Sequence, residues 1–264
     1  MSHFFTRVRL DREGLDRQQL ARIASGDSYL DHALVWRLFP GDGAARDFVF
    51  RADRDRDGWP TFLVVSAREP GAVPGLLRVD PPKPYVPRLA VGEQVQFNLR
   101  ANPTEATITL YTEEELAAYN AGRAASGKPS KDRQERRTFH DVIMAAKKRA
   151  GHPLPRDATE DQRAALEGAA EEAARAWFLK HAGDWGLEVL ERENLLTGEL
   201  EPALEWNAYT PHRMPRQGRE LAFSSLDYQG LARVADPEKL ASALTGGVGR
   251  AKAFGCGLLL VRRV

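Results

Sequence analysis

Tyr29 and His32 stand three residues apart in Ser28-Tyr-Leu-Asp-His-Ala-Leu-Val-Trp-Arg-Leu-Phe-Pro40. Leu30, Leu34 and Leu38 recur every fourth residue with Val35 beside them, which predicts a helix that Pro40 ends. On that helix Tyr29 and His32 share a face that continues through Trp36 and differs from the leucine stripe, so both polar heads point out of the fold together. An imidazole with an unperturbed pKa of about 6.5 can accept or donate a proton near neutral pH. A histidine on a helix is also commonly an ordinary surface or capping residue, and these residues alone leave both readings open.

Two further groups of residues suit an anionic ligand. The last nineteen residues, Gly246 to Val264, hold Gly246, Gly247, Gly249, Gly255 and Gly257 with Arg250 and Lys252. Bare backbone lets N–H groups approach an anion closely while the two cations supply charge, although glycines also mark loops that need unusual dihedrals. No Gly-x-x-x-x-Gly-Lys-Ser/Thr string occurs. The dinucleotide fingerprint fails as well, because its third glycine would fall at Lys252 and its loop should follow a strand. Here Asp236-Pro-Glu-Lys-Leu, with an N-cap Asp and Pro at the first helical position, predicts that the loop follows a helix. The third group is Pro211-His-Arg-Met-Pro-Arg-Gln-Gly-Arg219, where Arg213, Arg216 and Arg219 sit with His212 and no acid before Glu220. Guanidinium groups pair bidentately with phosphate and with guanine edges, so a hairpin tip of this kind suits a nucleic-acid duplex; exposed loops also carry arginines for solubility alone.

The elements that must position these groups follow from period and punctuation. Phe4 to Leu10 predicts a strand, Asp16 to Ala24 a short helix or loop, and 47–52 with 61–66 two strands joined by a solvated turn. Six prolines between Pro70 and Pro87 exclude long regular structure and predict a domain junction. Gln94 to Arg100 resumes alternation and is expected to close a β-α-β-β…β order, which suggests a ferredoxin-like fold. Ala106 to Tyr111 predicts a short strand, and from Thr112 to about Ala174 a stretch rich in Ala, Glu, Lys and Arg has the length of an insertion. Its basic end at Lys147, Lys148 and Arg149 suits solvent or phosphate. A helix over 173–181, a strand over 187–191, a hairpin of 204–210 with 220–225 and a last strand over 258–261 complete the second half.

Composition excludes several classes. The charge is balanced, 38 basic against 37 acidic residues, so a polyanion surface must come from local clustering. Cys256 is the only cysteine, which removes intramolecular disulfides and thiolate clusters and suits a reducing cytosol. No apolar run is long enough to span a bilayer, and the first residues lack the pattern of a signal peptide.

Four blocks in order resemble one family: Tyr29 to Pro40, then Ala44-Ala-Arg-Asp-Phe-Val-Phe50, then Leu99-Arg-Ala-Asn-Pro103, then Gly247-Val-Gly-Arg-Ala-Lys-Ala-Phe-Gly-Cys-Gly-Leu-Leu. Together they span nearly the whole chain and resemble the CasE-type CRISPR repeat endoribonucleases, subunits of the Cascade complex of type I-E systems. The resemblance implies an α+β chain of two tandem ferredoxin-like (RRM-like) βαββαβ domains, 1–90 and 91–264, the second carrying the mainly helical insertion at about 112–174. It implies a cytoplasmic enzyme without metal or small-molecule cofactor. Such an enzyme cuts repeat RNA at the base of its stem-loop by 2′-hydroxyl attack, leaves a 2′,3′-cyclic phosphate and a 5′-hydroxyl, and stays bound with other Cascade subunits. By the resemblance His32 is the catalytic histidine and Tyr29 its partner, while Gly247, Gly249, Arg250, Lys252, Arg100 and the hairpin residues Arg213, Arg216 and Arg219 contact RNA. A non-cleaving RNA-binding or assembly subunit is the alternative. The chain departs from the family in Arg250-Ala-Lys, where relatives more often carry Pro-Ala/Gly-Lys, and in the length of the insertion. If the resemblance holds, the two ends of the chain must meet in the fold.

Overall fold

The computed structural model describes residues 3–264 except 12, 14, 25–27, 42–44, 133–134 and 217–218. The chain opens with β1 (His3–Leu10), two short helices, α1 (Arg17–Ala24) and α2 (Ser28–Trp36), and the antiparallel pair β2 (Phe48–Arg54) and β3 (Pro60–Ser66). Two three-residue strands follow, β4 (Leu77–Val79) and β5 (Lys83–Tyr85), both paired with β1. The order β2-β3-β1-β4, antiparallel throughout, is the ferredoxin-like one. An extended segment takes the place of a helix between β3 and β4, because 67–76 holds two prolines and two glycines. Closure of this sheet therefore falls inside the proline-rich stretch, whose short strands lie at the sheet edge where a missing N–H is tolerated.

Helices cover one face of that sheet and residues near the C-terminus, Leu258 among them, meet the other. Val8, Phe48, Phe50, Phe62 and Val64 pack with Leu34, Val35, Leu38 and Phe39, whereas Val49 and Val65 on the opposite face meet Leu258. Double coverage explains why β2 is buried from Phe48 to Ala52 without alternation. Past Trp36 the helix tightens into i→i−3 bonds, Leu38 N to Val35 O among them, and stops before Pro40.

The strand expected to close the first sheet, β6 (Gln94–Ala101), instead lies inside a second one. After it residues Thr104–Ala173 form a compact unit of their own. In that unit β7 (Thr104–Leu110) pairs only with β8 (Glu135–Asp141), across α3 (Glu113–Ala125), whose N-terminus carries a complete capping box of Thr112 and Glu115. Asp141 caps α4 (Val142–Arg149) and Arg149 pairs with Glu105. The helix α5 (Glu160–Ala182) begins there and ends in the larger unit, well before the predicted start at 173.

The second sheet is completed by β9 (Leu187–Val189), the long hairpin of β12 (Leu204–Arg216) and β13 (Arg219–Val234), then α6 (Pro237–Gly246) and β14 (Leu259–Arg263), with a small pair, β10 (Glu191–Glu193) and β11 (Leu200–Pro202), beside it. Its order β12-β13-β6-β14, with α5 and α6 as crossovers, repeats the ferredoxin-like arrangement in full. Phe97 stacks on Phe178 at 4.8 Å, and the buried Tyr228 hydroxyl donates to the Ala174 carbonyl at 3.1 Å. No helix among the described residues is long and apolar enough to cross a membrane.

Candidate functional site

The site grows from α2, nine residues long and too short to hold its shape without tertiary support. Leu34 and Val35 anchor it in the core, and both carboxylate oxygens of Asp31 accept from Arg54 Nη2, at 2.6 and 2.7 Å. The face left outward carries Tyr29, 55% exposed, and the half-buried His32. Their rings lie 6.4 Å apart, and Trp36 meets His32 edge-on at 6.1 Å. The helical spacing read from sequence thus places both residues together.

The other end of the chain closes over this face. After α6, Lys252–Phe254 form one 3-10 turn, and the Phe254 ring lies 5.9 Å from that of His32. Gly247 and Gly257 make the turn possible. Each has φ above +60°, and a Cβ on Gly257 would stand 2.3 Å from the Val248 carbonyl oxygen. Their N–H groups are spent inside the fold, Gly247 on Ala243 O at 2.9 Å and Gly257 on Arg100 O at 2.7 Å. The glycines therefore shape the turn more than they cradle an anion. Gly249 and Arg250 remain on the exposed rim.

Lys252 donates to the carbonyls of Gly246 and Gly247, both at 3.2 Å, and so binds the last turn of α6. It is still half-buried beside Arg46, and burial together with that neighbouring charge lowers its pKa. His32 feels the same neighbour. Burial is the main cause that holds its pKa below 6.5, the backbone at Ala253 pulls the other way, and Arg46 adds to the lowering. His32 Nδ1 is buried with no hydrogen-bond partner among the described residues. Arg46, partly buried, makes no ion pair among the described residues. Arg46 and Lys252 thus form a cationic pair beside the neutral His32, a pair that an approaching phosphate would relieve. Arg46 escaped the sequence reading. Its signal was its place just before β2, within a block already singled out.

Beside this group a cavity of about 680 Å³ opens between the two sheets, lined by Ser28, Arg54, Arg100, His212, Arg213 and Phe254 among others. Arg100 spends its guanidinium internally, on Asp227 at 2.7 and 2.8 Å and on the Ala52 carbonyl at 2.6 Å. It frames the seam between the sheets, and the contact with RNA expected of it finds few free donors. The arginine connection is not a loop. Strands continue to Arg216 and resume at Arg219, with Arg213 exposed opposite Ala222; the side chains of Arg216 and Arg219 lie outside the described residues. Pro211 and Pro215 sit on β12, an edge strand that need not donate outward. Among the described residues no three His, Cys, Asp or Glu side chains are grouped as metal ligands would be. Cys256 is buried, its thiol pushed up to about 12 mainly by desolvation.

Fold and site together define a protein of two tandem ferredoxin-like domains with a histidine-bearing helix, two further cations and a glycine turn at their seam. The chain belongs to the family described as CRISPR associated protein, which matches residues 3–263. It is 27% identical over 235 residues to the CRISPR-associated endoribonuclease Cse3 of Thermus thermophilus, covering 86% of this chain and 79% of that one. It is 24% identical over 246 residues to the CRISPR system Cascade subunit CasE of Escherichia coli, covering 93% and 96%. A solved structure of Thermus thermophilus Cse3 bound to an RNA representing a pre-cleavage complex superposes with a TM-score of 0.62 over 99% of this chain and 100% of that one, at 23% identity.

Proposed function

We propose that this protein is an endoribonuclease that cuts CRISPR repeat RNA at the base of its stem-loop and remains with the product as a Cascade subunit in the cytoplasm. The observation that carries the reading is the meeting of the two chain ends, His32 on α2 against Phe254 behind the glycine turn, beside the cations Arg46 and Lys252. RNA brings its own nucleophile, the 2′-hydroxyl, so the protein must align it with phosphorus, move protons and stabilise the developing charge. His32, kept neutral by burial, takes the 2′-hydroxyl proton. As the 2′-oxygen bonds to phosphorus the bond from phosphorus to the 5′-oxygen breaks, and that oxygen leaves as the 5′-hydroxyl with a proton from water. Arg46 and Lys252 sit where charge on the phosphorane oxygens would be balanced, and Tyr29 offers a hydroxyl on the same helix face. The β12–β13 hairpin holds the stem through Arg213 and its neighbours. No step calls for a metal ion. We place the boundary between the domains near residue 90, in the segment between β5 and β6.

A repeat RNA carrying a 2′-deoxy nucleotide at the cleavage position tests this directly. It is expected to bind as tightly as the all-ribose strand and to stay intact, while the all-ribose control is cut. Cleavage of the deoxy strand would show that the nucleophile is something other than the neighbouring hydroxyl.

A further inference from the structure

His212 lies on β12 in the second domain, yet its ring reaches the helix of the first. Nδ1 shares a hydrogen bond with Ser28 Oγ at 3.2 Å, Nε2 shares one with Ser225 Oγ at 2.9 Å, and the ring stacks on Phe223 at 4.5 Å with an interplanar angle of 15°. Ser28 and Ser225 are both buried. Phe223 in turn stacks at 5.4 Å on Phe254, the ring that faces His32.

We infer that His212 is a positioning residue for cleavage, a tether that ties the first turn of α2 to the RNA-binding hairpin and sets the rotation of the helix that presents Tyr29 and His32. The inference rests on the endoribonuclease reading for its effect on rate, while the tether itself is a property of the free protein. Ser28 stands four residues before His32, on the same helix face one turn below it, so holding Ser28 fixes where His32 points. The other two anchors of α2, its core leucine and valine and the Asp31–Arg54 pair, belong to the first domain. The imidazole joins the helix to the hairpin that would bind the stem. Both ring nitrogens are occupied by hydroxyls, which leaves no atom to exchange a proton with substrate. That separates its part from that of His32, whose ring is partly exposed on the outward face of α2.

The test uses the full chain as His212→Ala, Ser28→Ala and the double variant, with His212→Asn to retain a nitrogen near the Nδ1 position. Misplacing a catalytic group by about 1 Å costs about 10²-fold, so His212→Ala is expected to lower the single-turnover rate at saturating protein by about 10- to 100-fold with unchanged RNA affinity. The acidic limb of its pH profile is expected to stay where the wild type has it, because His32 still moves the proton. The double variant should lose no more than the worse single one, and His212→Asn should recover part of the rate. A full rate in His212→Ala, additive losses, or a displaced acidic limb would each overturn the inference. Amide hydrogen exchange of the free protein tests the tether without reference to catalysis. Faster exchange in α2, with β1 and β13 unchanged, supports it, and protection equal to the wild type refutes it. A wild type that fails to cut would instead count against the enzyme reading, leaving the exchange result to decide the tether.

Discussion

His32→Ala is expected to slow cleavage of saturating repeat RNA by about 10²- to 10⁴-fold while RNA affinity stays as in the wild type. The imidazole moves protons, and removing it takes nothing from the hairpin that would hold the stem. The same account fixes the pH dependence. His32 must be neutral to accept a proton, and burial with Arg46 beside it favours the neutral ring, so its folded pKa lies below 6.5. The active form is then complete at neutral pH and is lost only as pH falls through that lowered value. The measured kcat/KM, which reports the free enzyme, should be flat through neutrality and drop with unit slope on the acid side. Arg46→Ala removes one cause of the lowering and should move the acidic limb upward. Undiminished cleavage by His32→Ala would take the histidine out of the reaction. Activity that instead falls as pH rises through the histidine range would show that the ring works in its charged form.

The second large effect concerns the scaffold. Arg54 Nη2 donates to both oxygens of Asp31 at 2.6 and 2.7 Å, with the Asp31 and Arg54 side chains only 8% and 23% exposed, and Arg54 Nη1 donates to the carbonyls of Ile23 and Gly58. Asp31→Ala leaves that guanidinium mostly buried without its carboxylate, a change that costs about 3–5 kcal/mol. Urea unfolding should show a midpoint lowered to match, with the slope unchanged. Because Asp31 lies next to His32 on α2, cleavage should fall with it even where the protein is still folded. A loss under about 1 kcal/mol would class the pair with exposed salt bridges, which contribute little.

The sequence made the local parts of this site legible and left the long-range parts hidden. Leucines at every fourth position and Pro40 gave α2 its place, and the i, i+3 spacing put Tyr29 with His32. The helix ahead of the glycine turn followed from Asp236 and Pro237. Alternation in 94–100 showed a strand, but alternation is the same in either sheet, and only pairing with β13 and β14 assigns β6 to the second one. The stretch 211–219 reads as a connection between two short strands, yet both strands run on into it, and the edge position of β12 that lets it hold Pro211 and Pro215 is a property of the whole sheet. The glycines looked like a phosphate cradle. Their positive φ and close neighbours show that Gly247 and Gly257 serve the path of the chain, which no local pattern separates from ligand binding. Arg46 and His212 matter because the fold brings residues far apart in sequence together. Nothing in the spacing from 46 to 252, or from 28 to 212, announces that meeting.

The central claim is that the chemistry is 2′-hydroxyl attack driven by side chains of this chain, and analysis of the product ends tests it most directly. Purified protein is incubated with repeat RNA in excess chelator, and the fragments are weighed by mass spectrometry. The account predicts cleavage at the base of the stem, with a 2′,3′-cyclic phosphate on the upstream fragment and a 5′-hydroxyl on the downstream one. A 3′-hydroxyl paired with a 5′-phosphate, or cleavage that stops when the chelator is added and returns with a divalent ion, would contradict it.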